Sequence, residues 1–168
     1  MPTLKTILRK QLNRAKRIAL LGVGSELRGD DIAGILVCQL LEKECRGLGA
    51  GGFFRAFNGA TAPENLTGEI KKFKPTHLII VDSAKINKAP GAVKIININK
   101  VAGLSFCTHN LPIKILTDYL INSIGCKVIV IGIQPKRIDF GSLPSRAVKE
   151  SVNRIVRAAK GACAGLFF

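Results

Sequence analysis

The sequence predicts an α/β fold: a three-layer sandwich in which a twisted, mainly parallel five-stranded sheet carries helices on both faces. Three observations lead there. Segments with apolar positions at helical spacing alternate with strand-length apolar runs along most of the 168 residues. Two of those runs, HLIIVDSA from residue 77 and KVIVIGIQP from residue 127, are almost continuously apolar, as expected for strands covered on both faces. No internal repeat, low-complexity tract or Pro/Gly/Ser linker divides the chain, so one domain over residues 1–168 is expected.

In chain order, residues 3–15 read as a basic amphipathic helix, an extension (residues 1–16) before the first strand. RIALLGVG, residues 17–24, is a buried strand. Ile32, Ile35, Leu36, Leu40 and Leu41 then recur at helical spacing, predicting a helix over 31–46 that GLGAGG closes. FFRAFNGAT is a second strand. APENLTGEIKKFK is a short helix with Pro63 suited to its start. HLIIVDSA is the central strand and GAVKIININK another. LPIKILTDYLINSIG is a helix with Gly125 beyond its end, KVIVIGIQP is the fifth strand, and SRAVKESVNRIVRAAKGA is the last helix.

The net charge of +15 draws the chain toward an acidic partner or only keeps it dissolved. Trp is absent and there is one Tyr, so no aromatic series is available to stack bases, and no nucleic acid is expected. No apolar run is long enough to cross a bilayer, and the basic start lacks the apolar core of a signal peptide; no membrane insertion and a cytoplasmic location are expected. The five cysteines include no CxxC pair and are odd in number, which argues against a disulfide framework and a zinc knuckle.

Working residues in such folds collect outside the carboxyl ends of the strands. Glu26, Asp30 and Asp31 follow the first strand; Asn58 and Glu64 follow the second. Asp82 ends LIIVD, His109 lies in CTHN before a helix, and Gln134 ends the last strand. The turn GVGSELRGDD resembles a phosphate loop only superficially. Leu27 stands where a dinucleotide fingerprint needs its third glycine, and no Lys-Ser/Thr pair follows. Three of the chain's 11 acids sit in this one turn and would repel a pyrophosphate. An acidic turn in a basic protein suits a cation.

Asp31, Asp82 and His109 together would offer two carboxylates and an imidazole. They would leave a coordination position open for water or substrate, an arrangement suited to Zn²⁺ or Ni²⁺. Each also has a structural reading: one of Asp30 and Asp31 as a helix N-cap, Asp82 as the cap of a turn, His109 as a hydrogen-bonded helix start. His77, opening a strand, reads as structural. Cys107, two residues from His109, is a candidate nucleophile without a supporting relay.

Together, GVGSELRGDD, NGATAPEN, LIIVDSA, CTHNLPI and VIGIQP resemble, in order, the motifs of the hydrogenase maturation proteases, in particular the formate-hydrogenlyase subgroup. The resemblance covers residues 18–135. It implies an endopeptidase, aspartic-type or metal-dependent, that removes the C-terminal extension of a [NiFe]-hydrogenase large-subunit precursor after nickel insertion. The partner implied is that precursor, the protein itself being a monomer. It implies metal-site residues at Asp31, Asp82 and His109, with Asp31 and Asp82 catalytic and Asp30 in support. The nickel belongs to the precursor substrate; the isolated protein would hold no cofactor beyond an adventitious zinc or other divalent cation. Ser25 and Ile32 replace the Asn and Gly usual in the family's first motif. Two other readings are a nucleotide- or nucleic-acid-binding module using the basic surface, and a zinc hydrolase on the same scaffold.

Overall fold

A computed structural model describes residues 1–47, 52–100, 105–106 and 112–167. Its elements run α1 (Leu4–Gln11), β1 (Ile18–Val23), α2 (Ala33–Gly47), β2 (Phe54–Ala60), α3 (Thr67–Phe73), β3 (His77–Lys85), β4 (Val93–Ile96), β5 (Ser105–Phe106), α4 (Ile113–Ile124), β6 (Lys127–Ile133) and α5 (Arg146–Phe167). Five strands lie side by side in the order β2-β1-β3-β6-β4. β2, β1, β3 and β6 are mutually parallel, and β4 closes one edge antiparallel to β6. The expected mainly parallel sheet is therefore present. The two-residue β5, too short to leave a periodic signal, adds a sixth strand by pairing antiparallel with the end of β3.

Two apolar layers hold this sheet. On one side Leu8, Leu12, Val37, Leu41, Val152 and Ile155 from α1, the turn after it, α2 and α5 meet Ile79, Val81, Ile129 and Ile131. On the other, Ile70, Leu116 and Leu120 from α3 and α4 meet Leu78, Ile80, Ala84 and Val130. The odd residues of β3 face the first layer and the even ones the second, as strand alternation requires. β3 is buried along all but its last residue, which explains why its sequence shows no polar alternation.

Topology selects where a crevice opens. From β1 the chain crosses through α2 on one face to β2, then returns through α3 on the other face to β3, beyond β1. The connections from β1 and β3 therefore diverge at their carboxyl ends, and this is the switch point at which open α/β sheets leave room for a ligand. The glycines of the first turn belong to this geometry. A Cβ at Gly34, in the first turn of α2, would stand 2.2 Å from the carbonyl oxygens of both Val23 and Val81. One at Gly24 would stand 2.0 Å from the carbonyl of Asp31. Missing side chains let backbone press on backbone here, with no phosphate required.

His77, at the opposite end of β3, is buried, and its Nδ1 lies 3.1 Å from the Thr76 hydroxyl. That hydroxyl also donates to the Arg17 carbonyl and accepts from the Lys16 and Arg17 amides. The structural reading of His77 therefore holds.

Two outcomes are expected. Gly34→Ala meets backbone on two strands that cannot yield, and should cost about 3 kcal/mol in denaturant unfolding. Burial, and then the Lys127 ammonium, hold the His77 pKa below its ordinary 6.5. The unfolded chain therefore binds that proton more readily, and the stability present above about pH 6.5 is lost as pH falls through the folded value. In unfolding measured from about pH 7.5 to about pH 5, His77→Asn should flatten the decline relative to wild type.

Candidate functional site

The acid turn follows β1. Residues Gly29–Ile32 form a 3-10 turn that runs straight into α2, and both Asp30 and Asp31 within it are fully buried. The Ser25 amide donates to the Asp31 carbonyl at 3.0 Å, and the Asp31 amide to the Arg28 carbonyl at 3.0 Å, folding the turn back on itself.

Asp30 is an anchor. Its Oδ2 accepts from the amides of Lys136 (2.7 Å) and Arg137 (3.2 Å) and from the Ser145 hydroxyl (2.9 Å). Its Oδ1 accepts from the Ser145 amide at 2.5 Å. Ser145 immediately precedes the 22-residue α5, and its hydroxyl also accepts from the Val148 amide at 3.4 Å. The Asp30 charge thus stands where the positive end of that helix's dipole favours an anion. Asp30 is therefore not the N-cap expected for the neighbouring helix: its donors lie in the loop after β6 and at Ser145, and it is the Ser145 hydroxyl that accepts from the first turn of α5. Four bonds occupy this carboxylate.

Asp82 lies in β3, one residue past Val81, whose carbonyl meets Gly34 of α2. It pairs across the sheet with Gly132 of β6 and has no exposed surface. Its neighbour Ser83 is also fully buried and donates its hydroxyl to the Asp30 carbonyl at 2.9 Å. Ser83 is therefore turned toward the acid turn and α5, and alternation directs Asp82 to the face covered by α3 and α4. Asp31 and Asp82 come from different elements to the same rim of the sheet, at the switch point between β1 and β3.

His109 and Cys107 lie outside the described residues. The flanking residues are placed: Phe106 pairs with Ala84, two residues beyond Asp82, and Ile113 at the start of α4 packs into the second apolar layer. Among the described residues no group of three or more His, Cys, Asp or Glu side chains gathers as a metal site. Two members of the expected trio lie within the described residues, at one rim.

The other strand-end residues separate clearly. Glu26 and Glu64 are exposed. Asn58 is exposed and accepts from the Ala60 amide at 3.1 Å, which shapes the bulged end of β2. Gln134 accepts from the Ile86 amide at 2.8 Å and supports the loop after β3. The described cysteines are all buried. Burial pushes the Cys38 thiol up to about 11 and the Cys163 thiol to about 12, and raises Cys45 and Cys126 as well. None of these four forms a thiolate near neutral pH, so none is a nucleophile there. Ser83 and Ser145, which hold the acid turn, left no sign in the sequence.

Removing the anchor would leave three backbone amides without their charged acceptor. Asp30→Ala should therefore cost about 3 kcal/mol in denaturant unfolding. The same experiment on the exposed Glu26→Ala should move stability by no more than about 0.5 kcal/mol.

Comparison with known proteins agrees with this architecture. The family model described as hydrogenase maturation protease matches residues 42–162. The hydrogenase 3 maturation protease of Escherichia coli K12 is 34% identical, over 84% of this chain and 88% of its own. Among solved structures, a [NiFe] hydrogenase maturation protease HycI from Thermococcus kodakarensis superposes with a TM-score of 0.81 at 28% identity, covering 92% of this chain and 99% of that one. The solution structure of the endopeptidase HycI from Escherichia coli gives 0.72 at 31% identity, covering 86% and 90%. A relative on both sequence and fold, with its acid turn seated at the switch point of the same sheet, this chain belongs to the hydrogenase maturation protease family.

Proposed function

We propose that this protein is the endopeptidase that removes the C-terminal extension of a [NiFe]-hydrogenase large-subunit precursor once nickel is in place. The observation that carries the reading is the pair of fully buried carboxylates, Asp31 and Asp82, brought from separate elements to one rim of the sheet.

In this reading Asp31, Asp82 and His109 engage the nickel that the precursor already carries. Oxygen and imidazole donors suit such a borderline ion. In isolated protein the same three residues would accept zinc or another divalent cation. Engagement holds the precursor's tail across the rim and aligns its scissile peptide. One of the two carboxylates takes a proton from water as the water oxygen bonds to the peptide carbonyl carbon. The carbon–nitrogen bond then breaks, and that proton leaves on the departing amine. Asp30 takes no part in this transfer; with four donors bound, it holds Asp31 in place.

The reading is tested by tail removal from nickel-loaded precursor, followed by mass. Asp31→Asn, Asp82→Asn and His109→Ala should each slow it by at least about 100-fold. Normal processing by all three variants would overturn the assignment. Nickel-free precursor should remain whole, and its cleavage at the full rate would exclude nickel recognition.

A further inference from the structure

The sheet loses its own fastening just where the proposed chemistry begins. The ladder between β1 and β3 runs from Ile18 opposite His77 to Gly22 opposite Val81 and stops there. Beyond it the first turn of α2 is wedged between the two strand ends, its Gly34 against the carbonyls of both Val23 and Val81. Asp82 and the acid turn therefore lie past the last backbone pair between β1 and β3 that could set their separation.

One side chain spans that gap. Ser83, which directly follows Asp82, is fully buried and donates its hydroxyl to the Asp30 carbonyl at 2.9 Å, across 53 positions of the chain. The acceptor belongs to the peptide unit that joins Asp30 to Asp31, and the amide of that same unit donates to the Arg28 carbonyl at 3.0 Å. Both ends of the unit are thus held, one by the acid turn itself and one by β3. Ser83 has a fixed base for this, since its backbone pairs with Ile133 of β6. From Asp82 to Asp31 the path is one peptide bond, the Ser83 side chain, one hydrogen bond and one further peptide bond. Alternation turns Ser83 to the face opposite that of Asp82, so its hydroxyl acts through the acids rather than on a substrate. A hydroxyl buried in a strand is unfavourable unless it finds an acceptor, and the one found here belongs to the turn, not to the apolar core.

We infer that Ser83 is a positioning residue of the peptidase, its hydroxyl setting the spacing of Asp31 from Asp82 by gripping the peptide unit that carries Asp31. This rests on the proposed function and adds to it a group that touches neither the precursor nor its nickel. A misplacement of about 1 Å at reacting groups costs on the order of 100-fold in rate.

The test uses whole protein and nickel-loaded precursor. Tail removal is followed by mass at saturating precursor, so that kcat reports alignment in the bound complex rather than docking. Each variant is assayed well below its melting midpoint, measured by circular dichroism. Ser83→Ala should lower kcat roughly 10- to 100-fold. Ser83→Thr, which keeps the hydroxyl, should restore most of that loss. The control is Ser151→Ala, since Ser151 in α5 is also buried and donates its hydroxyl to the Gly91 carbonyl. This control should melt earlier than wild type yet keep the wild-type kcat, as loss of a merely structural hydroxyl does. Should Ser83→Ala not fold, Ser83→Cys, a weak donor of similar volume, carries the same expectation. Wild-type kcat in Ser83→Ala, an equal loss in Ser151→Ala, or Ser83→Thr no faster than Ser83→Ala would overturn the positioning role while leaving the protease reading intact. Failure of the wild-type protein to trim the precursor would overturn both.

Discussion

A carboxylate with no exposed surface holds the working end of this protein together. Transferring the Asp30 charge out of water is unfavourable unless donors replace its hydration shell, and here four do so. They come from the loop after β6 and from the residue ahead of α5, so one side chain joins the end of β1, the end of β6 and the start of the longest helix. The amide of Asp30 adds a further tie, to the Arg137 carbonyl at 2.9 Å, and its own carbonyl receives the Ser83 hydroxyl. Asp31 inherits its position from this arrangement.

Strand order supplies the other half of the site. Because β1 lies between β2 and β3, the helices leaving it and arriving at β3 cover opposite faces. The rim between β1 and β3 is left for side chains rather than for a crossing helix. α2 can begin directly on that rim because its second residue is glycine. Packing, not ligand binding, accounts for the glycines that make the turn look like a nucleotide loop.

Much of this was legible in the residues. The buried strands announced themselves because a strand covered on both faces has no polar alternation to lose. The five main strands follow from that pattern, as do the helices, with differences confined to ends: α2 starts after a 3-10 turn, and GAVKIININK is strand only over Val93–Ile96. The excess of acids in one turn identified the rim. Two things were not legible. Which of Asp30 and Asp31 serves the structure depends on partners more than 100 residues away, and adjacent positions of one residue type carry no sign of that. The tie from Ser83 to the acid turn also stayed hidden, since a sequence does not reveal which carbonyl a buried hydroxyl meets.

Neighbouring positions of β3 face opposite ways, and this parity has an evolutionary consequence. Ser83 looks toward the bracing side and Asp82 toward the side of α3 and α4, so drift in the layer behind one need not disturb the other.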